Sequence, residues 1–164
     1  MDNSKYGQYF LTYNGEQKFP LGDILAKFDD TVVNGSNAYF LHWVMPDVDI
    51  SVDAFQIGHP PHIHKGAELL FHIGTDPQDP TDLGAEIEFS MGEEMEKHRI
   101  TKTTVVYIPP NVVHAPWRPL KLVRPFIFLE VNQELKHTEK FFPNLLSAEK
   151  RARVDWSSWQ DVGF

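Results

Sequence analysis

Four residues in two separated clusters have the types and spacing to share one metal ion. His62, His64 and Glu68 fall within seven positions, and His114 follows the turn-forming Pro109-Pro110-Asn111. Three imidazole nitrogens and a carboxylate oxygen form a ligand set for a divalent transition metal. Residues two apart on a β-strand share a face. His62, His64 and Glu68 therefore point together from one strand, or from a strand kinked at Gly66, while His114 must come from another. Four protein ligands on an octahedral ion leave two positions open, as a catalytic metal requires. A substrate with two adjacent oxygens fills both, or one takes water or O2.

The flanking pattern is that of many short strands between Gly, Pro and Asn breaks. Tyr9 to Tyr13 reads as a strand ending at the Asn14-Gly15 turn, and Leu21 to Phe28 as a short helical turn. The aromatic segment Ala38 to Met45 is β-leaning. Val48, Ile50, Val52 and Ala54 alternate with polar residues, the period-2 signature of a half-buried strand. Pro60-Pro61 forces extended backbone on the approach to His62. Further strands are expected at 68–73, 85–90, 94–100, 104–108, 112–117 and 121–131. The stretch from Thr75 to Gly84 is a stiff solvated turn, lacking the spacing of a calcium loop. Segments 134–142 and 144–154 are helix-compatible around Pro143, and Trp156, Trp159 and Phe164 are expected to pack on the barrel or on a partner.

The chain has 164 residues, which suits one domain. Its net charge of −8 argues against nucleic-acid binding, which needs a basic face. The absence of cysteine excludes disulfides, thiolate nucleophiles and cysteine metal sites. The N-terminus has no basic-then-apolar leader, and no apolar run approaches the ~18 residues of a membrane helix. A cytoplasmic protein is expected.

The two clusters resemble the two motifs of the cupin superfamily, small β-barrels of jelly-roll type. The first motif runs Gly-x5-His-x-His-x3–4-Glu-x6-Gly, and His62, His64 and Glu68 match it in identity and spacing. Gln56 stands at its opening glycine, and Gly74 comes one residue before its closing one. The second runs Gly-x5-Pro-x-Gly-x2-His-x3-Asn. Pro109 and His114 match, with Thr103, Asn111 and Arg118 at the three remaining positions. The resemblance covers about residues 40–131. It implies an all-β protein with a single jelly-roll barrel over 37–132; outside it, residues 1–36 read as an N-terminal arm of the same domain and 133–164 as a C-terminal helical segment and tail packing on the barrel. It also implies one divalent metal per chain held by His62, His64, Glu68 and His114. Fe(II) is favoured, with Mn, Zn or Ni compatible, and association as a homodimer is expected.

Other residues are candidates for substrate contact. Tyr107 and Arg118 flank the second cluster, the former as a proton donor and the latter as a carboxylate clamp, and Gln56 leads into the first. His72 lies about 13 Å beyond Glu68 on an extended strand, too far to share the metal, and His59 is expected at the barrel mouth. Together these features predict a metal-dependent enzyme acting on a small oxygenated molecule. Dioxygenase chemistry is favoured by the aromatic surroundings. The alternatives are a metal-dependent isomerase, lyase or decarboxylase on a sugar or keto/hydroxy acid, and a non-catalytic binding or sensing module.

Overall fold

The computed structural model describes residues 5–13 and 18–164. Its strands are β1 (Lys18–Phe19), β2 (Gly22–Phe28), β3 (Ala38–Val44), β4 (His62–Ile63), β5 (Glu68–Gly74), β6 (Asp82–Met91), β7 (Glu96–Lys102), β8 (Thr104–Ile108), β9 (His114–Leu122), β10 (Phe126–Asn132) and β11 (Lys140–Phe141). They form two antiparallel sheets, in the orders β1-β2-β3-β10-β5-β8 and β11-β4-β9-β6-β7. Two short helices, α1 (Asp53–Gln56) and α2 (Ala148–Arg153), lie outside them. Among the described residues no helix is long and apolar enough to cross a membrane.

Alternation on the larger sheet builds the barrel interior in rungs. Glu68, Asn132 and Ala38 are in register across β5, β10 and β3. Leu70, Glu130 and Phe40 form the next rung, and His72, Phe128 and His42 the one after. Facing them from the smaller sheet are Leu83, Ile87 and Phe89 of β6, which with Phe126 and Ile108 make the packed core. Fully burying each such side chain contributes ~1.5–3 kcal/mol.

Four segments depart from the sequence expectation. Gly22–Phe28 is a strand, not a helical turn, because β3 offers it a hydrogen-bonding edge. The alternating residues 48–54 do not form a strand. The Asp49 side chain accepts from Ser51 N (2.9 Å), an Asx-type turn that competes with sheet pairing. The chain then enters α1, which buries Phe55. Residues 134–142 are not helical. Glu134 bonds the backbone of Thr138 (2.7 Å) and of Gly66 (3.0 Å), and β11 pairs with the free edge of β4. At the N-terminus the strand expected over Tyr9 to Tyr13 does not form: Tyr9 ends a 3-10 turn (Gly7–Tyr9), residues 10–13 are irregular, and Asn14-Gly15 lies outside the described residues.

Candidate metal centre

The histidines arrive from two strands and a turn. His62, on β4, is directly in register with His114 on β9, and their rings lie 4.2 Å apart. His64 follows just past the end of β4. Its carbonyl accepts from Asn111 N (2.8 Å), tying the first cluster to the proline turn. Asn111 has φ +60°, the left-handed conformation expected of it. Glu68 opens β5, which belongs to the other sheet. The single strand expected to carry all three residues is therefore broken. The chain switches sheets between His64 and Glu68, and Gly66 sits at the crossing. A β-carbon on Gly66 would lie 2.8 Å from Glu134 Cβ, so only glycine lets the 133–134 segment approach.

Each ring is oriented by a backbone carbonyl. His62 Nδ1 donates to Pro60 O (2.7 Å), His114 Nδ1 to Val112 O (3.0 Å) and His64 Nδ1 to Thr138 O. Carbonyls only accept, so each Nδ1 carries the proton and each Nε2 presents a lone pair. One ligand atom from each ring lies within 4.8 Å of those of the other two, and all three side chains are buried. Burial, followed by the neighbouring imidazoles His59, His114 and His64, pushes His62 well below the usual histidine range. Burial also lowers His64. Both shifts favour the neutral imidazole, the form that binds a metal.

Glu68 supplies the test of whether a cation fits. Its Oε2 lies 3.1 Å from His114 Nε2 and its Oε1 3.8 Å from His64 Nε2. His114 Nε2 is buried with no hydrogen-bond partner. A carboxylate oxygen facing an imidazole lone pair at that distance is repulsive unless a proton or a metal ion lies between them. Burial alone would raise Glu68. Its neighbours His114, His64 and Asn132 outweigh it and hold the carboxyl below its ordinary value. The donor set fits a divalent transition metal.

A chain of polar groups surrounds these four. Asn132 Nδ2 donates to Glu68 Oε1 (2.6 Å), and His137 Nδ1 donates to Asn132 Oδ1 (2.8 Å). Glu139 follows, 3.8 Å from His137 Nε2, 2.9 Å from His59 Nε2 and 3.6 Å from His62 Nε2. Burial would raise Glu139, but His137 and His59 prevail and hold it at about 2. Composition and spacing flagged neither His137 nor Glu139, because both lie in a stretch read as helix.

The four clustered residues open onto a cavity of about 640 Å³. Leu21, Ile24, Phe40, Phe55, Trp117 and Phe128 are among its apolar walls, and Trp159 stands at the mouth, stacked 4.5 Å from His59. His72 is fully buried and its Nε2 accepts from Trp117 Nε1 (2.9 Å), so it serves as a core histidine. Burial lowers it to about 4.

The three expected substrate-contact residues lie elsewhere. Tyr107 is 56% exposed on β8, opposite Leu69 on the outward face. Arg118 donates to Glu88 Oε1 (2.8 Å) and approaches Gln56 Oε1 (3.4 Å), and neither Arg118 nor Gln56 lines the cavity. The cause is a β-bulge: on β6, Phe89 pairs with Trp117 and Met91 with His114, so Ser90 alone opposes both Ala115 and Pro116. The bulge puts both His114 and Trp117 inward and turns Arg118 out. Arg118→Ala is expected to leave metal content unchanged and to lower stability by about 1–3 kcal/mol, because Glu88 loses its main partner. Parallel metal analysis and thermal melts check both halves.

Glu130 is a cavity group absent from the sequence reading. Burial, then the charges of Glu68 and Glu139, push its carboxyl up to about 8. The unfolded chain releases that proton near 4.5 and the folded one near 8, so stability falls as pH rises through that window. Metal-free Glu130→Gln should melt several degrees above the parent at pH 8 and alongside it at pH 4. Equal melting at both would mean Glu130 is not held protonated.

No protein-family model matches the chain, and no curated protein matches it. Solved structures do. An oxalate oxidase in complex with the substrate analogue glycolate aligns with a TM-score of 0.51 at 11% identity, over 87% of this chain and 68% of that one. An oxalate decarboxylase aligns at 0.46 and 16% identity, over 74% of this chain and 28% of that one. The DMSP lyase DddQ from Ruegeria pomeroyi DSS-3 aligns at 0.39 and 24% identity, over 65% and 43%. The chain thus spans well under half the length of the last two. Its two antiparallel sheets have the cupin jelly-roll fold.

Proposed function

We propose that this protein is a metal-dependent enzyme acting on a small oxygenated organic molecule, with His62, His64, His114 and Glu68 as the metal ligands. The observation that carries this reading is the convergence of three buried imidazoles, each with Nδ1 fixed on a carbonyl, beside a carboxylate at the wall of a large cavity. When bound there, the metal supplies Lewis acidity and, as Fe(II), the capacity to react with O2. The chain's own residues do the rest. Asn132 and His137 fix the Glu68 carboxylate, and Trp117 and Phe128 exclude water.

Within that class, dioxygenase chemistry is the reading the apolar walls support. Non-redox isomerisation, lyase or decarboxylase chemistry is the second reading, supported by Glu130, an acid in the wall that is able to exchange a proton with substrate. Metal analysis of protein prepared without a metal-affinity tag tests the class. Absence of Fe, Mn, Zn and Ni after growth in metal-replete medium would sink it. An oxygen-uptake screen over diketones, catechols and hydroxy acids separates the branches, since turnover that persists without O2 selects the second.

We also propose a homodimer. The outward face of the larger sheet carries Tyr39, Leu41 and Trp43 beside Phe71, Ile73 and Leu129, a contiguous apolar surface that favours a partner. Tyr107→Lys on its exposed edge should shift sedimentation toward monomer.

A further inference from the structure

The cavity in front of the histidines has two unlike ends. At one end stand the metal ligands with Asn132, His137 and Glu139. The other end, one and two rungs deeper, is walled by Phe40 and Leu70, then by Ile24 and Phe128, with Trp117 across from them. The polar groups in this deeper wall offer no charge for a second ionic group to meet. Burial holds His42 at about 4, so its ring is neutral between Phe40 and Phe128, at centroid distances of 6.3 and 6.1 Å. His72 already receives the Trp117 hydrogen bond. Glu130, in register with Phe40 and Leu70, has neither a hydrogen bond nor an ion pair to any other described residue. It is a diagonal neighbour of Glu68, with a Cα separation of roughly 7–8 Å, so it stands where the polar end gives way to the apolar one.

Size argues in the same direction. A two-carbon or three-carbon oxo acid would occupy the ligand end and leave most of the roughly 640 Å³ unfilled. Ligand sites of this volume ordinarily enclose a molecule's apolar body and fix it with a few polar contacts.

We infer that the substrate joins a chelating, oxygenated head to an uncharged apolar body of aryl size, and that Phe40, Phe128 and Trp117 select the body while Glu130 meets the junction. This deepens the metal-enzyme reading and rests on it. It also sets this cavity apart from one shaped for a small diacid, which would leave the aromatic walls unmatched.

The experiment uses full-length protein loaded with Co(II), its metal content measured, and titrated calorimetrically with pyruvate, phenylpyruvate and indole-3-pyruvate. All three probes carry the same two-oxygen head and differ only in the body. The two aryl acids are expected to bind at least tenfold more tightly than pyruvate. Phe128→Ala should narrow that ratio several-fold with pyruvate affinity unchanged. Phe40→Ala provides the same comparison at a position outside the packed core, in case Phe128→Ala fails to fold. Equal affinity for the three acids, no binding of any of them to the metal-loaded protein, or a ratio untouched by both variants would overturn the inference on the body. Failure to retain Co(II) at all would instead overturn the metal reading on which it rests.

Discussion

Glu68→Ala and His114→Ala are each expected to cut bound metal from about one per chain to less than a tenth, with the barrel still folded. Both side chains point into the shared centre, and neither contributes to the apolar core. His114→Ala removes a ring that is 2% exposed and packs 6.3 Å from Phe89, so it costs some packing energy as well. Glu68→Ala removes the carboxylate that faces Nε2 of both His64 and His114, and its metal-free form should melt close to metal-free parent. The parent should lose several degrees of Tm on chelation, because a ligand present at a thousand times its Kd stabilises the folded state by ~4 kcal/mol. Metal content by elemental analysis, with melts in the presence and absence of EDTA, measures both effects. Unchanged occupancy in Glu68→Ala would remove Glu68 from the ligand set and direct attention to Glu139, 3.6 Å from His62 Nε2.

Residue type and spacing were enough to find the four clustered residues, because such a set is chemically improbable in an arbitrary wall. Their geometry was less legible. Parity along one strand would place His62, His64 and Glu68 on a common face. The structure reaches a similar convergence by another route, ending β4 after Ile63 and restarting in the opposite sheet at Glu68. Parity failed outright for Arg118. Counting in twos from His114 brings position 118 inward, but the bulge inserts one residue and exchanges Arg118 for Trp117. A bulge has no composition signature here, so no local pattern could have exposed the error. Tyr107 failed for a simpler reason: β8 alternates regularly, and its odd-numbered residues face out.

The C-terminal segment shows a different limit. Residues 134–142 are compatible with a helix in composition, yet β4 has an open edge that only a later strand can close. Lys140 pairs with Ile63 and Phe141 with His62, so the segment is held directly against the first histidine. That docking puts Thr138 O on His64 Nδ1, His137 on Asn132 and Glu139 beside His62. The tail then lines the mouth. Trp159 packs on His59 and Phe141, and Arg153 of α2 pairs with Asp53 of α1. Long-range pairing of this kind overrides local propensity, and here it supplies the carbonyl that orients His64 and the His137 contact on Asn132.

Asn132→Leu isolates that orienting layer. Asn132 is 1% exposed and relays between Glu68 and His137 through two hydrogen bonds. Leucine keeps the volume and removes both hydrogen bonds, leaving the Glu68 carboxylate free to rotate and one buried oxygen without its donor. Loss of such a supporting contact ordinarily weakens metal binding by about ten- to a hundred-fold. The expected result is therefore graded. At saturating metal the variant still binds one ion per chain, and competition with a chromophoric chelator shows the weakened affinity. Complete loss of metal would place Asn132 among the ligands themselves. An unchanged affinity would show that the cavity wall alone fixes Glu68, and the His137–Glu139–His59 chain would then have to act on the substrate, not on the metal.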